Sequence, residues 1–445
     1  MSADCAVTES SKAQMTITFH NNMNSLQYAA AVGVGLLVTA WAQAASLTGL
    51  GFLPGGDASW ARAVSADGSV VVGESEIPTS TNAVMQAFRW TEGGGMEGLG
   101  VLPGGKDSGA KAVSSDGGTV VGFSSILAGD PPALTEWYGF RWTQAGGMSP
   151  VDFGFPRGVS GDGSVVVGDR SFTNEPSQAC RWTADGAIGL GVLHGGVSSS
   201  AMGVSHDSLS VVGTSFTDLT PGGEQAFLWT PATGMVGLAG LPGSSFTEGN
   251  GISADGTTVV GVCAGPDVSQ GFRWTAKEGM TGLGTLPDGG NTAALAASGD
   301  GRIVVGFANT RLPAEAIVWD ITHGIRNLQR LVIEQHADLT GWQLDTALAI
   351  SSDGHTIVGS GYHNGTTEAW VARVGDLTRP ELSVAIGGGG LKLSWPGTAI
   401  VCQLQSSPTP SGPWTNVSIP PVVAGNSQSV ILPAADTAGF FHLLF

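Results

Sequence analysis

A nine-residue phrase that recurs seven times is the feature of this sequence that most constrains its fold. Each copy begins Ser-x-Asp and runs into a valine-rich segment. The aspartates are separated by 49, 46, 45, 48, 45 and 53 residues. A period in this range is typical of four-stranded β-propeller blades and not of helical solenoids. The copies are SADGSVVVG (65–73), SSDGGTVVG (114–122), SGDGSVVVG (160–168), SHDSLSVVG (205–213), SADGTTVVG (253–261), SGDGRIVVG (298–306) and SSDGHTIVG (351–359).

Each unit carries four strand signals. In the first unit they are ARAVS (61–65), SVVVGES (69–75), QAFRWT (86–91) and MEGLGVL (96–102), with the Asp-Gly turn between the first two. In the sixth unit the fourth signal is IRNLQRL (325–331). Valine runs without polar alternation predict strands that are buried on both faces, as they are between two neighbouring blades.

The strand count has an offset between its two ends. The seventh unit ends at EAWVARV (368–374) without a fourth strand, whereas SLTGLGFLPGG (46–56) is a fourth-strand phrase with no unit before it. We therefore predict an all-β fold, a seven-bladed β-propeller over residues 45–376 that is closed by its N-terminal strand. A solenoid is the alternative, but its two ends do not meet, so it does not explain this offset.

The period stops after residue 376. Residues 379–445 contain five or more short strand signals separated by Pro, Gly and Ser turns, which predicts a small β-sandwich. Across the whole chain, 70 glycines and 12% charged residues fit many short strands with tight turns.

An apolar stretch of 14 residues, Tyr28–Trp41, precedes the small-x-small sequence Ala42-Gln43-Ala44. It is short for a membrane span and suits the core of an export signal, so residues 1–44 are predicted to be one. The leading region is weakly basic, with only Lys12, and a buried hydrophobic segment is the alternative. The expected mature chain is a monomer without a transmembrane segment, located outside the cell or on its surface, with the periplasm as the other compartment.

Charge and cysteine content exclude some functions. The formal charge of −18 with pI near 4.6 argues against nucleic acid as a partner. The three cysteines after residue 44, Cys180, Cys263 and Cys402, show neither a disulfide framework nor zinc spacing. Cys180 is expected to fill a core position. No metal or cofactor is predicted.

The ordered phrase SxDGxxVVG…AFRWT…GM…LGxLPGG, across residues 46–374, resembles the HAF family of bacterial extracellular repeat proteins. The resemblance implies secretion and a propeller-like repeat, and it brings no catalytic residues. At the family's name-giving tripeptide this chain has Gln86-Ala87-Phe88, so no role of the family histidine carries over. The tail, with LKLSW, PWTNV and GFFHLLF, resembles the small immunoglobulin-like C-terminal domain of secreted bacterial proteins.

Groups that recur in nearly every unit are expected to be structural. A short carboxylate accepts neighbouring backbone N–H bonds, so the repeated aspartate suits a turn better than seven catalytic sites. The tryptophans that recur at one place per unit are expected to pack in the core or at its rim. They are Trp90, Trp142, Trp182, Trp229, Trp274 and Trp319.

Binding groups are expected where the units differ, because loops on a rigid scaffold commonly carry function. Aromatic and histidine side chains on the variable face are candidates for stacking on sugars or peptides. They are Trp60, Trp137, Tyr138, His194, Trp342 and His363.

Three cations occupy one equivalent position in consecutive units. Arg62, Lys111 and Arg157 each stand two residues before the last aliphatic residue of the first strand. They are predicted to form an arc at one mouth of the central channel and to seat a carboxylate or sulfate. Pairing with Asp57 and Asp107 on nearby loops is the alternative.

No GxSxG, HExxH, CxxC or calcium-loop motif is present in the sequence. The preferred interpretation is a secreted, non-catalytic binding or surface-interaction protein for an extracellular glycan, polymer or protein. The alternative is a secreted carbohydrate-active hydrolase or lyase with its site at the channel mouth. It would need two convergent carboxylates with raised pKa in one deep pocket, about 5–9.5 Å apart if the reaction is glycosidic. A third possibility is a spacer whose tail attaches to the target.

Overall fold

The structure is a computed structural model. It describes residues 15–19, 34–37, 45–79, 83–128, 134–151, 154–170, 177–217, 223–266, 269–309, 314–375, 377–378, 383–387, 390–396, 403–407, 413–424, 427–433 and 439–444.

The described chain is all-β apart from one short helix, Leu328–Glu334. The seven sequence units form seven antiparallel sheets of four strands each, called sheets 1–7 here. In sheets 1–6 the strands follow chain order from the first to the fourth.

Sheet 1 consists of Ala58–Val64, Val70–Pro78, Ala83–Thr91 and Gly95–Gly100. Sheet 2 consists of Gly105–Val113, Thr119–Ala128, Leu134–Thr143 and Gly147–Pro150. Sheet 3 consists of Phe155–Val159, Val166–Arg170, Gln178–Thr183 and Gly186–Gly191. Sheet 4 consists of Gly196–Val204, Val211–Thr217, Glu224–Thr230 and Gly234–Gly237.

Sheet 5 consists of Phe246–Ile252, Thr258–Ala264, Ser269–Thr275 and Gly279–Gly282. Sheet 6 consists of Asn291–Ala297, Ile303–Asn309, Glu315–Asp320 and Gly324–Asn327. Sheet 7 consists of Trp342–Ile350, Thr356–His363, Thr366–Arg373 and, from the other end of the chain, Ser46–Gly49.

The valine runs are buried on both faces, as predicted. Val71 of sheet 1 packs with Val358 and Ala369 of sheet 7. Its neighbours Val70 and Val72 pack with residues of sheet 2. Because successive side chains of a strand point to opposite faces, one run of valines fills two inter-sheet cores. Polar alternation is therefore missing from these strands.

The recurring Ser-x-Asp phrase forms the same turn in all seven sheets. The serine hydroxyl donates to the aspartate Oδ1 at 2.5–2.8 Å, and the backbone N–H two residues after the aspartate donates to the same oxygen at 2.9–3.1 Å. The serine Oγ in turn accepts the N–H five residues on, at 2.9–3.0 Å. The structural interpretation of the aspartates is confirmed.

Backbone hydrogen bonds link each phrase to the next. The N–H of the residue between serine and aspartate donates to the carbonyl of its counterpart in the following sheet; in sheet 5 the aspartate itself donates. The donor–acceptor pairs are Ala66–Ser115, Ser115–Gly161, Gly161–His206, His206–Ala254, Asp255–Gly299, Gly299–Ser352 and Ser352–Ala66, at 2.9–3.3 Å. The first strands of all seven sheets line one cavity of about 180 Å³.

The strand Ser46–Gly49 pairs antiparallel with Trp370–Arg373, where the sequence analysis expected it. Ser59 joins sheet 1 to sheet 7 beside this strand: its hydroxyl donates to the Gly51 carbonyl at 2.8 Å and accepts the Ala369 N–H at 3.0 Å. The same pair of contacts recurs between other sheets, through Ser108 (2.6 and 2.9 Å), Ser199 (2.6 and 2.8 Å) and Thr292 (2.9 and 3.0 Å).

The fourth-strand signal of the sixth unit, IRNLQRL, is only partly a strand. The strand ends at Asn327, whose side chain accepts the Arg330 N–H at 2.9 Å and caps the helix Leu328–Glu334. The sequence interpretation was therefore wrong from Leu328 onward, because a local capping contact and burial of Leu328, Leu331 and Val332 favour the helix there.

The other described strands form two further antiparallel sheets. One contains Ser383–Gly387, Gly390–Pro396, Val422–Ala424 and Ser427–Pro433; the other contains Met15–Phe19, Val34–Leu37, Gln403–Ser407, Thr415–Asn416 and Gly439–Leu444. Val34–Leu37 falls within the apolar stretch of the predicted export signal, and the rest of that stretch lies outside the described residues. The export signal stays a prediction.

None of the helical segments in the described part of the chain has the length and apolar character needed to cross a bilayer.

We expect Ser160→Ala to lower the free energy of unfolding by about 1–3 kcal/mol, because it leaves the buried Val165 N–H without its side-chain acceptor and removes a donor from Asp162. Urea unfolding measures the change. Thr281→Ala, at an exposed strand position, is the control and should change the value by about 0.5 kcal/mol or less. Equal effects of the two variants would contradict the structural importance of the turn.

The same turn predicts an acid dependence. The Ser160 hydroxyl and then the Ser164 N–H lower the pKa of Asp162 to about 2, below the value of about 3.9 in an unfolded chain. The stabilisation is therefore present above about pH 4 and is lost as pH falls towards about 2. The melting temperature of Asp162→Asn should lie below that of the wild type at pH 5 and converge with it on acidification. Asp185→Asn, at an exposed turn, is the control; a gap that stays constant with pH would refute the linkage.

Candidate functional site

The seven equivalent positions that include Arg62, Lys111 and Arg157 share one backbone feature. In each sheet the pairing of the first and second strands skips this residue, so it is the extra residue of a β-bulge. A bulge leaves the residue outside the regular ladder and redirects its side chain. The bulged residues are Arg62, Lys111, Arg157, Met202, Asn250, Leu295 and Leu348.

The three cations pair with two carboxylates, those of Glu74 and Asp169, and we call these five groups the cation cluster. Arg62 contacts Glu74 through Nε (2.9 Å to Oε1) and Nη2, and the Lys111 Nζ lies 3.9 Å from the other Glu74 oxygen. The Arg157 Nε donates to Asp169 Oδ1 at 2.8 Å. The cluster therefore contains three positive and two negative groups.

The alternative expected from the sequence was that the three cations pair with Asp57 and Asp107. It was wrong about which acids they pair with. The Asp107 carboxylate accepts the Met85 N–H at 3.0 Å and the Ser125 hydroxyl at 3.1 Å. Asp107 is thus occupied in joining sheet 2 to sheet 1. The acids that pair with the cations come from second strands, not from loops.

Lys111 is electrostatically coupled to both arginines. Burial lowers the pKa of the Lys111 ammonium; Glu74 opposes this shift, and Arg62 and Arg157 add to it. The ammonium also lies 4.9 Å from the centre of the Phe123 ring, a cation–π contact. The charges of both arginines therefore reach Lys111 and disfavour its protonated form.

Gly109 makes room for the shared carboxylate. A Cβ atom at Gly109 would lie 2.4 Å from Glu74 Oε2 and 2.7 Å from Phe123 Cζ. The Glu74 carboxylate of sheet 1 therefore extends over the backbone of sheet 2 to reach Lys111. One position of the repeat, directly after Val-Val-Gly, is occupied by Glu74, Phe123 and Asp169 in the first three units. The sequence analysis did not compare this position between units, and that comparison would have pointed to the acids.

Trp137 joins the cation cluster through Phe123. The two rings meet edge to face with centroids 5.1 Å apart, and Trp137 is 43% exposed. Phe155, two residues before Arg157, is 41% exposed, and the half-buried Trp60 pairs across the strands with Glu74. The cluster thus has aromatic neighbours on sheets 1, 2 and 3.

The structure records no contact between the cation cluster and the remaining candidates within the described residues. The Tyr138 hydroxyl donates to Glu136, and His194 is exposed in the connection to sheet 4. Trp342 and His363 stack at 4.1 Å with an angle of 7°, and His363 Nδ1 lies 2.6 Å from Glu368 Oε2. That group lies beside the N-terminal strand, since the other Glu368 oxygen accepts the Gly51 N–H at 3.0 Å.

Two carboxyl groups with raised pKa lie elsewhere, on sheets 5 and 7. Burial, followed by a hydrogen bond in which the protonated Glu248 donates to Glu224, raises the pKa of Glu248 to about 7. Burial raises the pKa of Asp345 to about 6, and within the described residues its buried Oδ1 has no hydrogen-bond partner. Glycoside hydrolysis needs two carboxyl groups about 5–9.5 Å apart, and Glu248 and Asp345 lie on sheets that are not adjacent.

The sequence analysis also made predictions about the cysteines and about metal binding. Cys180 is buried in the core between sheets 2 and 3, as expected, and burial raises the pKa of its thiol to about 12. No group of three or more His, Cys, Asp or Glu side chains suited to a metal occurs among the described residues.

Comparisons with known proteins give only distant structural likenesses. No protein-family model matches the chain, and no curated protein matches it. An oligogalacturonate lyase from Vibrio parahaemolyticus is 10% identical (83% of this chain, 100% of that one, TM-score 0.49). The propeller of Dos1 is 10% identical (73% and 94%, TM-score 0.42), and TolB from Acinetobacter baumannii is 12% identical (70% and 65%, TM-score 0.40). This chain thus covers less than two thirds of TolB, and at these scores none of the likenesses bears on function.

We expect Glu74→Gln to lower the pKa of Lys111 further, because the glutamate raises it while Arg62 lowers it. NMR titration of the Lys111 side chain after reductive ¹³C-methylation measures the shift. Glu97→Gln, on the exposed fourth strand of the same sheet, is the control and should leave Lys111 unchanged. An unchanged titration in Glu74→Gln would show that the two groups do not interact.

Proposed function

We propose that this protein is an exported, non-catalytic binding protein that holds an acidic extracellular ligand at the cation cluster. Its scaffold would be a seven-bladed β-propeller closed by the N-terminal strand, followed by an immunoglobulin-like β-sandwich over residues 379–445. The location would be extracellular or at the cell surface, and the ligand a glycan, another polymer or a protein.

Closure of the ring is supported by contacts between sheets 7 and 1 that repeat the contacts between other neighbouring sheets. The backbone bond from Ser352 to Ala66 completes the series that links the seven phrases. The Ser59 contacts to Gly51 and Ala369 repeat those of Ser108 between sheets 1 and 2. A closed ring leaves no unpaired sheet face for aggregation.

The observation that carries the binding proposal is the excess positive charge on three consecutive bulges in a chain of net charge −18. The turn serines and aspartates, the valines and most recurring tryptophans have roles in the fold, whereas the bulged positions differ from unit to unit. Arginine presents a planar fork of donors that matches carboxylate and sulfate oxygens.

The cations remain accessible to a ligand although they are paired. Their side chains are 30% (Arg62), 32% (Lys111) and 40% (Arg157) exposed. Each guanidinium has five N–H donors and the ammonium has three, and the pairs with Glu74 and Asp169 use only some of them, so a ligand can contact the others while the pairs stay formed. The site would therefore bind without unfolding its surroundings.

The competing interpretation, a carbohydrate-active enzyme, receives less support. Burial raises the pKa of Glu248 and of Asp345, as a general acid requires, but the two residues lie on sheets 5 and 7, which are not adjacent in the series of linked sheets. Neither residue lines the central cavity.

We expect the double charge reversal Arg62→Glu/Lys111→Glu to weaken binding to acidic members of a glycan and peptide panel about tenfold or more, and to remove its salt sensitivity. The neutral pair Arg62→Gln/Lys111→Gln should give a smaller loss in the same direction. Arg302→Glu is the matched control, because Arg302 is 68% exposed at the Asp-Gly turn of sheet 6. The proposal would be refuted if the double reversal left the affinity for acidic ligands unchanged, or if the wild type bound no acidic member of the panel.

A further inference from the structure

The side chains around the cation cluster offer more than charge. The Phe123 ring contacts the Lys111 ammonium at 4.9 Å and the Trp137 ring at 5.1 Å. The positive charge and the exposed indole therefore belong to one continuous surface of sheet 2. On sheet 3 the exposed Phe155 pairs across the strands with Asp169, the partner of Arg157.

The cluster also presents hydrogen-bond acceptors. Glu74 and Asp169 are mostly buried, and the Ser200 hydroxyl donates to Asp169 at 2.9 Å. For a simple polyanion these carboxylates are repulsive. For a ligand with hydroxyl groups they are acceptors, since a carboxylate has about four lone-pair sites and those not used by the cations can accept O–H donors.

We propose, building on the proposed function, that the ligand is an acidic polysaccharide. Its carboxylate or sulfate would contact Lys111 and the arginines, hydroxyl groups of the same sugar would donate to Asp169 or Glu74, and a neighbouring sugar would lie with its apolar face on Trp137. Negative groups, hydroxyl groups and flat apolar faces occur together in such a polymer. A polyanion such as poly-L-glutamate has backbone N–H donors but no flat apolar face for the indole.

The test compares four polymers on the full chain: polygalacturonate, dextran sulfate, neutral dextran and poly-L-glutamate. Affinities are measured for the wild type, Trp137→Ala, Trp137→Leu, the Arg62→Glu/Lys111→Glu pair and the control Leu209→Ala, an exposed apolar residue in the Asp turn of sheet 4. Trp137→Leu keeps an apolar contact with Phe123 but lacks the flat face.

We expect both Trp137 variants to weaken binding to the acidic polysaccharides about five- to tenfold and to leave poly-L-glutamate unchanged. The charge reversal should abolish binding of every anionic polymer, and Leu209→Ala should change none. Preference for polygalacturonate or for dextran sulfate would identify the carboxylate or the sulfate as the recognised group.

The outcomes separate this inference from the proposed function. If poly-L-glutamate binds as tightly as polygalacturonate and the Trp137 variants change neither, the polysaccharide inference is overturned and the acidic-ligand function stands. Dextran binding equal to that of the acidic polymers would also overturn it. If no anionic polymer binds the wild type, both proposals fail.

Discussion

The backbone hydrogen bonds that join each Ser-x-Asp phrase to the next are the constraint on which the rest of this structure depends. They hold the start of every Asp turn against its neighbour, from Ala66 through to Ser352 and back. Each bond requires the turn to keep its shape, and the buried serine with its aspartate provides that shape. Residues of all seven first strands line one common cavity.

The bulges are the places where the repeat can vary. In each sheet the bulged residue stands at the equivalent position of the first strand, outside the regular ladder. The side chain there can vary without disturbing the inter-sheet cores. Three neighbouring sheets carry Arg62, Lys111 and Arg157, and the small Gly109 lets one carboxylate, Glu74, serve two of them.

Carboxyl groups with raised pKa form a second chemical feature of the scaffold, apart from the cation cluster. Burial disfavours the charged forms of Glu248 and Asp345 and raises their pKa to about 7 and about 6. These two groups lie on sheets 5 and 7, whereas the accessible cations lie on sheets 1–3. The two features therefore occupy different sheets of the repeat.

The sequence by itself determined the sheets, their turns and the equivalent positions, because a period of 45–53 residues repeats the same buried and turning groups in each unit. It also placed the three cations together. The tertiary structure alone decided that Lys111 shares Glu74 with Arg62, because this contact crosses between sheets and the sequence period describes each unit in isolation. It likewise decided the helix after Asn327 and the stacking of Trp342 on His363, which depend on local capping and on side-chain packing that no repeat encodes.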